Sequence, residues 1–306
     1  MNKKSKNHAQ YKRIPFPFGD GIQILDIRYD HVFKAVFTRD TVKSRGALSD
    51  LISALIGRTV AVDTIAANEP PIENLRQRYL RFDVVCRAEK GELINVEMSF
   101  NLNADELTRL EYHASRLFVG QDIHGKDKNF DDLKETYQIA ILAKAKFFSD
   151  KNLKHNFLYY DPDTRTSLGG KTRIITVELV KTKPIADKSV EEMTNAELWA
   201  VFFQYLTDEE KRDKIIEIIN REEGIAMAVE TLGTFTQNEI EYARMSTLLK
   251  SELDYQSGIA EARSEGLTKG RNEASFEIAR KMKNAGRPLS EIMEFTGLPL
   301  ETIERM

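Results

Sequence analysis

The chain has 306 residues, 41% of them hydrophobic and 30% charged, with a formal net charge of -3. This is enough apolar material for a core of enzyme size plus an appendage, and the near-balance of charge excludes a global basic field for nucleic acid. The single cysteine, Cys86, excludes a disulfide framework and a cysteine-rich zinc site. No apolar run reaches membrane-spanning length and no secretory leader opens the chain, so the expectation is a soluble, cytoplasmic protein with no membrane partner.

Residues 1–21 read as a basic arm, carried by MNKKSKNHAQYKR, which ends in the proline-punctuated IPFPFGDG. In YDHVFKAVF, Asp30 is placed to cap a helix whose Phe33, Val36 and Phe37 share a face. GALSDLISALIG sets Leu48, Leu51, Ile52, Leu55 and Ile56 at amphipathic helix spacing. RTVAVDTIA, YLRFDVVCRA and ELINVEMSF are β-branched runs bounded by turn residues and read as successive strands. The next helix is signalled by Asn103 with Glu106 three residues on, and its expected buried stripe is Leu107, Leu110, Ala114 and Leu117. ETYQIAILAK, HNFLYYD and TRIITVELVK are further strands, the first apolar enough to lie inside a sheet covered on both faces. NAELWAVFFQYL opens an all-helical second half, with Leu198, Val201, Phe202, Tyr205 and Leu206 on one face. This order predicts an α/β domain over 22–220 and a helical extension over 221–306.

Within RFDVVCRAEKGELINVEMSF the loop decides which side chains share a face, because a slip of one residue turns every side chain over. A three-residue loop of Glu89, Lys90 and Gly91, with Gly91 left-handed in a bulge, sets Phe82 against Met98, Val84 against Val96 and Cys86 against Ile94. The other face then carries Asp83 opposite Glu97, Arg81 opposite Ser99 and Val85 opposite Asn95. A two-residue loop would mix apolar and charged groups on both faces, so the first register is expected. It sets two like charges directly opposite each other, which is repulsive. Two readings stand: a divalent cation with oxygen ligands, magnesium or manganese, held between Asp83 and Glu97, or a solvated polar face neutralised by Arg81 and Arg87.

These segments, with DELTRLEYHASRLFVGQ and TYQIAILAKAKFF after them, resemble the PD-(D/E)XK nuclease superfamily, specifically its recombination-promoting nuclease or putative transposase family. The resemblance spans roughly residues 26 to 220 and implies a restriction-endonuclease-like core, a mixed sheet flanked by helices, and metal-dependent cutting of DNA. By the resemblance, Asp83 and Glu97 are the metal-binding acids, with Mg2+ or Mn2+ as cofactor. Ser99 stands where the superfamily has lysine and this family usually glutamine. Serine carries no positive charge and donates one hydrogen bond. This departure opens an alternative, a nuclease-like fold acting as a DNA-binding or assembly protein, and Arg81 opposite Ser99 is a candidate source of the missing charge. The resemblance also lays the following helix against the active site, so Arg109 and Arg116 are expected to contact phosphate, as is Lys34, while His113 is expected at the surface.

In the tail, Gly258, Ala262, Gly266, Gly270 and Ala274 recur every four residues along a charged helix. Glycine costs about 1 kcal/mol relative to alanine in a helix, so the ridge asks for compensation by a second helix, in a homodimer or on the core; the other reading is a charged linker. The last thirty or so residues read as helix, Gly286 stop, a helix from Ser290, a TGLP turn and a short helix, an arrangement similar to a helix-turn-helix and expected to be a small packing module.

Overall fold

The computed structural model describes residues 25–65, 83–100, 105–121, 123, 128–236, 238–240, 242, 266 and 269–306. The basic arm, Phe82, Arg81, the Asn103 cap, Gly258 and Ala262 lie outside these residues.

Six strands, β1 (Val62–Ile65), β2 (Val84–Ala88), β3 (Leu93–Ser99), β4 (Thr136–Leu142), β5 (Lys154–Phe157) and β6 (Thr172–Glu178), form one mixed sheet in the order β1-β2-β3-β4-β6-β5. The three central strands β3, β4 and β6 run parallel, while β1, β2 and β5 pair antiparallel. Every residue of β4 is buried, as its apolar run predicts for a strand covered on both faces.

One face of the sheet meets the main core. Val84, Cys86, Ile94, Val96, Met98, Ile139 and Ile141 pack there against helices α1 (Asp30–Thr38), α2 (Val42–Ile56), α5 (Asn195–Tyr205), α6 (Arg212–Arg221) and α7 (Glu223–Leu232). A short helix, α4 (Lys183–Ala186), precedes α5. Thr41 caps α2 by accepting from the Ser44 amide, and Gly57 ends it at φ 86°, a left-handed conformation that glycine adopts without a Cβ penalty. The core is rich in rings: Phe33, Phe37, Trp199, Phe202 and Phe203 are all within 2% of fully buried. α5 is not one-sided as its spacing predicted. Every residue from Leu198 to Phe203 is buried, because α1, α2 and α6 close round it. α7, beyond the boundary expected at residue 220, packs against α2 and α6.

α3 (Glu106–Val119) covers the other face, with Leu110 on Ala140 and Leu142, and Leu117 on Val85. The helix is turned relative to the expected stripe: Glu106 is fully buried and Leu107 is 37% exposed. The reason is polar, since the sheet face beneath offers Ser99 and Glu97 as partners rather than apolar contact.

By contacts the chain divides into residues 1–243 and 244–306. In the second unit α8 (described over 269–284), α9 (Leu289–Thr296) and α10 (Leu300–Glu304) close a small core of Ala279, Ile292 and Ile303. Gly286 and Gly297 stop two of these helices at φ 71° and 69°. Lys283 Nζ donates to the carbonyls of Ile303 and Glu304 at 2.8 and 2.9 Å, tying α8 to the end of α10.

Candidate active site

β2 and β3 pair in the expected register: Val84 with Val96, Val85 with Asn95, Cys86 with Ile94. Gly91 has φ 88° and its amide donates to the Ala88 carbonyl at 2.8 Å, closing the turn. Continued by one residue, the ladder places Asp83 across from Glu97. The face they share is not solvated. Asp83, Glu97 and Ser99 are 8%, 5% and 5% exposed, and Arg87 is exposed, with its guanidinium 3.5 Å from the Gly91 carbonyl.

Among the described residues, the charge partners come from helices. From α1, Lys34 Nζ lies 3.2 Å from Asp83 Oδ1 and 3.1 Å from Asp30 Oδ1. Asp30 is the first residue inside α1 rather than its cap, and its carboxylate faces Lys34 one turn on. The second Asp83 oxygen accepts from the Met98 amide at 3.1 Å. From α3, Arg109 bridges Glu97 Oε1 and both oxygens of Glu106, the latter at 2.8 Å each. His113, expected at the surface, is buried with Nδ1 3.3 Å from Glu97 Oε2. Gln138 of β4 also donates to Glu97 Oε2, at 3.2 Å, and is itself held by Asn95 at 2.9 Å. Ser99 Oγ donates to Glu106 Oε1 at 2.7 Å.

The two acids are shifted in opposite directions. Burial would raise Glu97, but His113 and Arg109 outweigh it and hold its carboxyl below the usual range. Asp83 is pushed up to about 7 by burial first, then by Glu97 and Asp30, with Lys34 opposing. Lys34 loses by burial and gains more from Asp83 and Asp30, so it stays charged. Among the described residues, Lys34 pairs with both Asp30 and Asp83, and Arg109 with both Glu97 and Glu106. Lys34 does not outweigh the burial of Asp83 and the charge of Glu97 beside it.

A divalent cation would favour an ionised Asp83 beside Glu97, and the donors present suit one. Asp83 and Glu97 are hard oxygen ligands on adjacent strands, and among the described residues no group of three or more His, Cys, Asp or Glu side chains forms a cage. Two carboxylates without a cage fit magnesium or manganese, which keep water and take the remaining ligands from phosphate, better than zinc.

Of the residues expected from sequence, Asp83, Glu97, Ser99, Lys34 and Arg109 come together, Arg116 is half-buried in the last turn of α3, and Arg81 lies outside the described residues. Glu106, His113, Gln138 and Asn95 were missed as site members. One signal was present: Gln138 is the polar exception in TYQIAIL, a strand otherwise fit for full burial.

In comparison with known proteins, the model of the PD-(D/E)XK nuclease family transposase matches residues 27–262. No curated protein and no solved structure matches. Among the described residues no helix is long and apolar enough to cross a membrane.

Proposed function

The chain belongs to the PD-(D/E)XK nuclease family transposases, and from that premise we propose that it is a DNA endonuclease using magnesium or manganese held by Asp83 and Glu97. The observation that carries the reading is the buried Asp83 carboxyl, raised to about 7 across from Glu97 where β2 and β3 pair. The ion supplies a lowered pKa for water and positive charge at the scissile phosphate.

The chain's own residues do the rest. Lys34, charged and held between Asp30 and Asp83, supplies the positive side chain that Ser99 cannot, next to the phosphate rather than as a general base. Arg109 and His113 keep Glu97 ionised and fixed. Gln138 orients the same carboxylate. Because Arg109 is committed to Glu97 and Glu106, phosphate contact falls more naturally to Lys34, Arg116 and Arg81. The buried lone cysteine suits a reducing cytoplasm. The spacing of Gly266, Gly270 and Ala274 suits a homodimer.

The test is incubation of the purified protein with plasmid DNA and magnesium or manganese, beside Asp83→Ala. Nicking or linearisation by the parent and its loss in the variant are expected; cutting that persists undiminished in Asp83→Ala removes these residues from the mechanism. A second reading, a nuclease-like protein that binds DNA without cutting it, is favoured by Ser99, whose hydroxyl is turned to Glu106. Ser99→Lys and Ser99→Gln separate the two. Cleavage that only these variants show identifies a degenerate nuclease, and robust cutting by the parent rejects the binding-only reading.

A further inference from the structure

On the α3 side of the sheet, the face that also carries the acid cluster, a groove of about 250 Å³ lies between α3 and the edge strand β5. Its floor includes Ile174 and Thr176 of β6, its helix side Leu107 and Glu111, and its outer wall Phe157 and Tyr159. The two aromatic residues are 41% and 51% exposed, and Thr176 Oγ1 is buried in the floor without a hydrogen-bond partner. An apolar slot with a ring on one side and an unanswered hydroxyl beneath fits a flat ligand with a polar edge.

The walls are set in advance. Tyr159 lies so close to Gly170 that a Cβ there would come within 2.8 Å of the ring. Phe148, also in the groove wall, is fixed by the Phe147 and Phe148 amides, which donate to Glu178 Oε1 at 2.6 and 3.2 Å, and its ring sits 5.3 Å from that of Phe157.

Charge decides which part of a nucleotide enters. Glu111 disfavours a phosphate inside the groove. Exposed Lys144 and Lys146 lie on the stretch that leads to Phe148, and the Lys144 ammonium is 5.4 Å from the ring of Phe100, the residue after Ser99. Two exposed ammonium groups thus lie on the segment between β4 and the groove wall, complementary to a nucleic-acid backbone.

We propose that this groove takes one unpaired nucleobase of the DNA strand whose phosphate is presented to Asp83 and Glu97, stacked on Phe157 and Tyr159, with its edge at Thr176 and its backbone along Lys144 and Lys146. The inference rests on the nuclease reading and narrows it: the substrate class is DNA with a frayed, gapped or single-stranded nucleotide near the cut, since a paired base cannot leave its stack without cost.

The test is fluorescence anisotropy in EDTA, where metal-dependent cutting is off, using a duplex with a short thymidine extension and the same duplex with an abasic extension, which keeps the phosphates and removes the bases. The parent should bind the thymidine form about tenfold tighter, as expected for one stacked base. Phe157→Ala with Tyr159→Ala should bring the ratio to near one while leaving the affinity for the abasic form unchanged, with thermal melting showing the fold intact. Thr176→Val, close in size, should lower the ratio about threefold. A parent ratio near one, or an equal loss on both DNAs in the double variant, overturns the groove but leaves the nuclease reading standing. No binding to either DNA overturns the groove as well, and the plasmid assay with magnesium or manganese decides the nuclease reading separately.

Discussion

Ser99 and Glu106 are joined by a buried 2.7 Å hydrogen bond, which turns the serine hydroxyl to an internal carboxylate. Ser99→Ala leaves Glu106 with Arg109 and removes one hydrogen bond to a charged group. It should lower stability by about 1.5 kcal/mol in urea denaturation. If Ser99 has no further role, DNA cleavage per folded molecule stays unchanged; a fall in turnover beyond tenfold would place the hydroxyl in the reaction.

Arg109 is a counter-ion of two buried acids, and its removal weakens the charge compensation of both. Arg109→Ala should destabilise the protein by about 3 kcal/mol or more, the cost of leaving a buried charge uncompensated. Arg109→Lys should recover only part of this, because one ammonium cannot reproduce the guanidinium fork that spans Glu97 and Glu106. Equal denaturation midpoints for parent and Arg109→Ala would show that the bridge contributes nothing.

A second acid pair gives the protein a pH-dependent stability. Glu222, just before α7, is raised from 4.5 to about 7 by burial first, then by its hydrogen bond with Asp50 of α2 and by that residue's charge, with Arg221 opposing and Glu223 adding. The folded state keeps a proton that the unfolded chain has released. This contribution is therefore fully present below about pH 4.5, declines as pH rises, and is lost above about pH 7. Asp83, also raised, pulls in the same direction. Asp50→Asn should flatten the part due to Glu222, so the slope of stability against pH in this window is compared between parent and variant. Identical slopes would remove Asp50 as the cause.

The dimer is tested where the protomer is indifferent. A Cβ added at Gly266 or Gly270 meets no atom within 4 Å, so leucine at both positions leaves the described protomer unstrained. Gly266→Leu with Gly270→Leu should convert a dimer to a monomer in sedimentation velocity without moving the melting temperature. A parent that sediments as a monomer at micromolar concentration ends the idea.

What the sequence disclosed follows from what periodicity can carry. The strands, the β2–β3 register and Gly91 were legible because alternation and a left-handed glycine admit one consistent pairing. α3 was legible as a helix but not in its rotation. Leucine spacing predicts a buried Leu107, whereas the buried residue is Glu106, and a buried glutamate has no signature until Ser99 and Arg109 are seen beside it. His113 was misplaced for the same reason, its partner Glu97 lying on another element. Complete burial of α5 depended on helices distant in the chain.

The seam between α2 and α7 has a temporal side. The two helices approach so closely that a Cβ at Gly46 would run into the Met227 sulfur and one at Gly224 into Asp50, yet one precedes the whole sheet and the other follows it. During synthesis, Asp83 and Glu97 leave the ribosome while α5 and α7, which cover much of α2, are still to be made. The strands β2 and β3 cannot settle on a finished core until residue 232 has emerged. A nascent chain therefore carries Asp83 and Glu97 from the synthesis of residue 97 to that of residue 232 before the core beneath their strands is complete.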